Sequence, residues 1–256
     1  MTQSNEPGQP APTVTAKITS VDIETPTIAL AIGAHPDDIE IGCGGTLAKW
    51  AQAGCLVHHL VLTDGSKGTW NANADIPQLI AQREIEQREA ARRLGAQGEV
   101  IFMHQVDGDL ADTRELRGEI ARQIRRLQPQ VVLGHDPWKR YRLHPDHRHA
   151  GFLTCDAIVA ARDPHFFKEH DIAHHRPQHL LLWEADEPDH GEDIGSFIDQ
   201  KISALLAHES QFESTMKAVD QEALEKFSQR MRKRMIELGQ RIDRPAGEIF
   251  KKISDL

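Results

Sequence analysis

The sequence predicts an α/β fold: a doubly wound, mostly parallel sheet with helices on both faces. Three observations lead there. Short apolar runs alternate with longer amphipathic ones along most of the chain, as in repeated strand–helix–strand units. The short runs are apolar throughout, as strands covered on both faces are. With 256 residues, 39% hydrophobic and 27% charged, the chain can bury a core without disulfide or metal staples.

Residues 1–25 lack periodicity and are rich in Pro, Thr, Ser and Gln. They read as a flexible N-terminal arm, with 26–256 as a single domain. The run Thr27–Gly33 is a central strand. Residues 44–53 have helical character, and Gly54 ends that helix. Leu56–Thr63 is a second strand, followed by a loop punctuated by Gly65 and Gly68. Pro77–Leu94 is a long charged helix stopped by Gly95. Val100–Met103 is a third strand, and Glu115–Leu127 a helix closed by Gln128-Pro129. Gln130–Gly134 is a fourth, very apolar strand, followed by a helix over 146–161. His179–Trp183 is a fifth strand, and Ile198–Ala207 and Met216–Leu238 are further helices. In the common doubly wound order, the first and fourth strands are central neighbours, and ligands bind beyond their carboxyl ends.

Composition narrows the function. A net charge of −9 and a pI near 5.9 argue against a surface made for nucleic-acid phosphates. No apolar run approaches the roughly 20 residues that span a bilayer, and the polar N-terminus has no signal-peptide core. A cytoplasmic location is expected. Cys43, Cys55 and Cys155 are odd in number and widely spaced; they read as unpaired thiols packed as small hydrophobes.

Two stretches carry the chemistry. Ala34-His35-Pro36-Asp37-Asp38 follows the first strand, and His144-Pro145-Asp146-His147 follows the fourth. If each Pro opens a helix, His35 and Asp38 share a face and offer two ligands of the kind Zn²⁺ takes. The second motif can supply a third across the switch point. Three protein ligands and an open position describe a catalytic zinc. Asp37 and either His144 or His147 then remain for proton transfer; spacing does not choose between the two histidines. Each motif alone could be a helix cap. A dinucleotide site is disfavoured, because the turn after the first strand is not G-x-G-x-x-G and two carboxylates there would repel a pyrophosphate.

On these motifs the chain resembles the LmbE/PIG-L family of zinc-dependent N-deacetylases, from about Thr27 to Gln211. A weaker third motif, Lys201–Leu205 leading to His208-Glu209-Ser210-Gln211, follows in the same order. The resemblance implies a Rossmann-like fold and one zinc per chain, held by His35, Asp38 and His147. It implies Asp37 as general base, His144 as the group that stabilises the oxyanion and protonates the leaving amine, and Asp146 as the residue holding the His144 ring. The reaction implied is hydrolysis of an N-acyl amide, typically the N-acetyl group of an N-acetylglucosamine conjugate. Hydrolysis of another amide, such as a thiol conjugate, is the alternative within the family; a non-catalytic nucleotide- or sugar-binding module is the alternative outside it. Two departures stand out. Glu40 comes one residue later than the Glu that many members carry after His-Pro-Asp-Asp. Thr63-Asp64-Gly65-Ser66 lacks the Glu of the common Thr-x-Gly-Glu.

Other residues are weaker candidates. Asp64, Asp107 and Asp109 could bond sugar hydroxyls or serve as ordinary turn residues. Arg140 and Tyr141, just before the second motif, could contact substrate, and His190 and His208 could reach the site from the C-terminal segment. The stripe Met216, Val219, Ala223, Phe227, Met231, Met235 and Leu238 reads as core packing or as a contact in a homo-oligomer.

Overall fold

A computed structural model describes residues 18–256. The strands are β1 (Ser20–Val21), β2 (Ile28–Gly33), β3 (Leu56–Thr63), β4 (Val100–Gln105), β5 (Val131–His135), β6 (His179–Trp183), β7 (His190–Asp193) and β8 (Gly247–Ser254). The helices are α1 (Asp38–Gln52), α2 (Ile76–Arg93), α3 (Arg114–Leu127), α4 (Pro145–Arg162), α5 (Ile198–Leu205) and α6 (Gln221–Gln240). All eight strands form one sheet in the order β1-β7-β8-β6-β5-β2-β3-β4. Among the described residues only β8 runs antiparallel to its neighbours, β6 and β7.

Alternate side chains of each central strand feed opposite cores. Leu30, Ile32, Leu60 and Leu62 pack on Ile120 and Ile124 of α3 and on Leu153 and Ala157 of α4. Ala29, Ala31, Val57 and Val61 pack on Leu47 and Trp50 of α1 and on Ala90 of α2. The doubly wound expectation holds. β2 pairs with β3 on one side and with β5 on the other, both parallel. The chain steps outward from β2 to β4 and then returns to β5, which opens a crevice at the carboxyl ends of β2 and β5.

Several expectations need correction. Within residues 1–25, read as a flexible arm, Ser20 and Val21 form β1 and pair with His190 and Gly191; residues 1–17 lie outside the described part. Helix α1 starts at Asp38, not at Gly44, and breaks at Cys43 (φ −146°, ψ 17°). The break is bridged by a buried pair. Lys201 Nζ donates to the Ile41 carbonyl (2.8 Å) and to Glu248 Oε1 (2.5 Å), and Glu248 accepts from the N–H groups of Gly45 (3.0 Å) and Thr46 (2.8 Å). Pro36 therefore precedes α1 instead of opening it, whereas Pro145 does open α4 with His144 as N-cap. Helix α6 starts at Gln221, so Met216 and Val219 precede it; Met216 is buried and Val219 is 81% exposed. The strands β1, β7 and β8 are additions to the expected five.

Candidate metal centre and catalytic site

Both His-Pro-Asp motifs lie at the β2/β5 crevice, around a cavity of about 400 Å³ lined by His35, Asp37, Asp38, Asp107, His144 and His147 together with residues from three loops. His35 Nδ1 lies 3.2 Å from Asp38 Oδ2 and 3.3 Å from His147 Nε2, and His147 Nε2 lies 3.3 Å from Asp38 Oδ1. Ligand atoms bonded to zinc at about 2.0–2.1 Å in a tetrahedron sit roughly 3.3–3.4 Å apart. The donor set and its spacing thus fit a Zn²⁺-sized ion.

The surroundings fix these rings. His35 Nε2 faces Asp146 Oδ2 at 3.0 Å and Asp107 Oδ1 at 3.2 Å, so the nitrogen away from the ligand set can donate to carboxylate, the usual support for a metal-binding imidazole. Burial favours a neutral His35, but the carboxylates of Asp107, Asp146 and Asp38 outweigh it and hold its pKa well above normal. Burial pushes His147 down to about 4, against the pull of Asp38, and leaves the ring neutral. Arg142 Nη1 lies 2.9 Å from His147 Nδ1. A guanidinium only donates, so Arg142 must turn away if Nδ1 is to carry the proton while Nε2 binds a metal.

His135, at the end of β5, is a site residue that the motifs did not reveal. Its Nδ1 accepts from Trp183 Nε1 at 3.0 Å, so a neutral ring carries its proton on Nε2. That nitrogen lies 3.2 Å from Asp38 Oδ2. In that tautomer His135 donates toward Asp38 and orients it, at the expense of the longer 3.4 Å contact from the Ala34 N–H. With the proton moved, His135, Asp38 and His147 would themselves form a ligand-type trio. Its position was a usable signal: it ends β5 beside the site, much as His35 follows β2.

Asp37 is held differently. Its φ of +103° is in the left-handed region, which costs a non-glycine residue about 1–3 kcal/mol. Two residues one turn apart on α2 brace it, and neither carried a local signal in the sequence. Arg83 donates to the carbonyls of Pro36 (2.6 Å) and Gly65 (2.7 Å), and Gln87 Oε1 accepts the Asp37 N–H at 3.0 Å. Gly65 (φ +66°) makes room for the guanidinium; a Cβ there would stand 2.5 Å from Arg83 Nη1. Burial raises Asp37 to about 6, with Arg83 opposing and Asp38 adding to the rise.

The remaining candidates separate. His144 joins the cluster, its ring centroid 4.7 Å from both His35 and His147. Asp146 does not hold the His144 ring as expected. Fully buried, its carboxylate needs donors, and it turns to His35 and to the N–H groups of Gly108 (2.6 Å) and Leu110 (3.2 Å). Asp107 lines the cavity. Asp64 instead accepts the N–H groups of Ser66 and Asp107, the turn role open to it from the start. Arg140 lies in a separate surface cleft with Trp138 and Asp186, and Tyr141 is 89% exposed, outside the residues lining the cavity. His190 is not near the site. It is buried at the β1/β7 edge, where it bonds Ser20 Oγ (2.9 Å) and Glu192 (2.8 Å). His208 lies behind the site and bonds Glu40.

Comparison with known proteins supplies the context. Residues 30–158 match the PIG-L family, described as GlcNAc-PI de-N-acetylase. Diacetylchitobiose deacetylase of Thermococcus kodakarensis is 39% identical over 186 residues, 72% of this chain and 69% of that protein. A 1D-myo-inositol 2-acetamido-2-deoxy-alpha-D-glucopyranoside deacetylase of Kineococcus radiotolerans is 30% identical over 178 residues, covering 57% of this chain and 49% of that protein. The structure of N,N′-diacetylchitobiose deacetylase from Pyrococcus horikoshii superposes with a TM-score of 0.81 at 30% identity, covering 90% of this chain and 84% of that one. No helix among the described residues is long and apolar enough to cross a membrane. With a matching sheet, a family match spanning both strands that carry the motifs, and a His/Asp cluster at the switch point, the chain belongs to the PIG-L family of deacetylases.

Proposed function

We propose that this chain is a zinc-dependent N-deacetylase that removes the acetyl group from an N-acetylglucosamine derivative, with one zinc per chain. The observation that carries the reading is the convergence of His35 Nδ1 and His147 Nε2, 3.3 Å apart, on the Asp38 carboxylate, whose Oδ2 lies 3.2 Å from the first and whose Oδ1 lies 3.3 Å from the second, beside Asp37 and His144 in an open cavity. Zinc held by these three residues would supply Lewis acidity toward a water molecule and the amide carbonyl.

The protein's own groups do the rest. Asp37 accepts the proton of the attacking water. His144, in its protonated form, hydrogen-bonds the carbonyl oxygen as negative charge builds there and gives that proton to the departing nitrogen, while the proton taken by Asp37 balances the cycle. Burial and the neighbouring His35 lower the His144 pKa, so the building negative charge must hold the proton on the ring. The water oxygen bonds to the acyl carbon, the C–N bond breaks, and the products are acetate and a free amino sugar. His135 and Asp146 orient Asp38 and His35, and Asp107 bonds His35 from the cavity wall. A cavity of about 400 Å³ holds one or two sugar rings, consistent with a small amino-sugar conjugate as the partner.

The test is amine release from N,N′-diacetylchitobiose and from N-acetylglucosamine. Zinc-loaded protein should release free amine, a chelator should stop it, and added zinc should restore it. Absence of amine release from any N-acetylglucosamine conjugate offered with zinc present would overturn the assignment.

A further inference from the structure

The Asp37 backbone does not hold its own shape. It is the N-cap of α1, yet its side chain makes no capping bond and its φ is +103°. Its N–H goes to Gln87 Oε1 at 3.0 Å. The Gln87 amide is locked in turn. Its Nε2 donates to Glu40 Oε1 at 2.8 Å and lies 3.2 Å from His59 Nδ1. A peptide N–H only donates and a carboxylate only accepts, so the amide fits one way round; a flip would set like against like at both ends. The other oxygen of Glu40 meets His208 Nε2 at 3.2 Å. Two residues on, Ser210 binds Glu86 through its N–H (2.9 Å) and its Oγ (2.6 Å), which ties the same segment to α2 beside Gln87.

None of Gln87, Glu40, His59 and His208 lines the cavity, and each is 0% exposed. Stability alone is a poor explanation for them. A buried polar chain is worth having only when fully satisfied, and His59 Nε2 and His208 Nδ1 find no protein partner among the described residues. What the chain does achieve is a fixed acceptor for one N–H, that of Asp37. We infer that Gln87, oriented by Glu40 and His208, is a positioning residue that holds Asp37 in its working place. This rests on Asp37 being the base proposed above.

The experiment uses the full chain loaded with zinc, with N,N′-diacetylchitobiose as substrate. Gln87→Met keeps length and removes both bonds. We expect kcat to fall about 10- to 100-fold, as for a misplaced reacting group, with KM and zinc content unchanged. Hydrogen exchange at the Asp37 amide should quicken. In an Asp37→Asn background the same change should cost less than about twofold, because residues that act as a unit do not add. Glu40→Gln, which permits the amide flip, should show the same pattern at smaller size and serves if Gln87→Met does not fold. A folded variant with unchanged kcat, or an equal loss in both Asp37 backgrounds, overturns the inference alone. A wild-type chain that releases no amine overturns the deacetylase assignment and this inference with it.

Discussion

Trp183 Nε1 donates to His135 Nδ1 across 3.0 Å of buried space, and that one bond decides which nitrogen of His135 faces Asp38. An indole N–H has no acceptor capacity, so His135 Nε2 must carry the proton that reaches Asp38 Oδ2 at 3.2 Å. Trp183→Phe keeps most of the ring volume and removes this control. Zinc affinity should fall about 10-fold, the lower end for loss of an outer-shell partner. Competition against a chromophoric chelator measures it; unchanged affinity would show that His135 needs no such guide.

Gly42 tests the same support from the other side. A Cβ at Gly42 would stand 2.5 Å from Trp183 Cδ2. Gly42→Ala should therefore displace the indole and cost about 1–3 kcal/mol, the range for overpacking. Urea unfolding reads the cost, and zinc affinity should fall alongside it.

The break in α1 depends on the Lys201–Glu248 pair, 1% and 2% exposed on their side chains. Lys201→Met leaves the Ile41 carbonyl unsatisfied and Glu248 without its cation. Removing one partner of a buried pair costs about 3–5 kcal/mol, and a loss of that size is expected in urea unfolding. A loss below about 1 kcal/mol, as for an exposed pair, would show that the break stands without it.

His190 should matter to stability alone. His190→Ala strips partners from Ser20 and Glu192, and the buried bonds lost are worth about 1–3 kcal/mol. kcat and KM on an N-acetylglucosamine substrate should stay within about twofold, the ordinary result for a residue remote from a site. A selective rise in KM would return His190 to the substrate contacts.

Acid should weaken the fold partly through His59. Burial lowers its pKa, with the Glu40 carboxylate opposing in part. A His whose folded pKa is depressed binds its proton more readily when unfolded, so stability is full above the unfolded value of about 6.5 and declines as pH falls below it. Between pH 7.5 and 5.5, His59→Gln should lose less stability than wild type. Urea midpoints at the two values check this; parallel losses would contradict it.

The legible parts of this chain were those where one local property dominates. Leu56–Thr63 and His179–Trp183 were read with their observed ends, because a continuous apolar run bounded by polar residues leaves little choice. The meeting of the two His-Pro-Asp motifs followed from topology, since β2 and β5 are neighbours. The hidden parts depend on partners distant in sequence. β8 carries Lys251 and Lys252 within its span, and no periodicity marks it as an inner strand; it is recruited by pairing with β6 and β7. Glu40 read as a shifted family carboxylate, yet it is fully buried against His208 and Gln87, residues 168 and 47 positions away. The family resemblance implied that Asp146 holds the His144 ring, but the donors its buried carboxylate needed were on His35 and in the loop after β4.

The proposed zinc site of His35, Asp38 and His147 stands or falls on whether the reaction needs the one ion they would hold. The direct measurement is amine release from N,N′-diacetylchitobiose as zinc is titrated into metal-free protein, with Asp37→Ala and His147→Ala alongside. Activity should rise to a plateau at one zinc per chain, Asp37→Ala should bind zinc but stay inactive, and His147→Ala should lose most of the metal. Amine release that is indifferent to zinc, or a His147→Ala chain that binds zinc as wild type does, would contradict it.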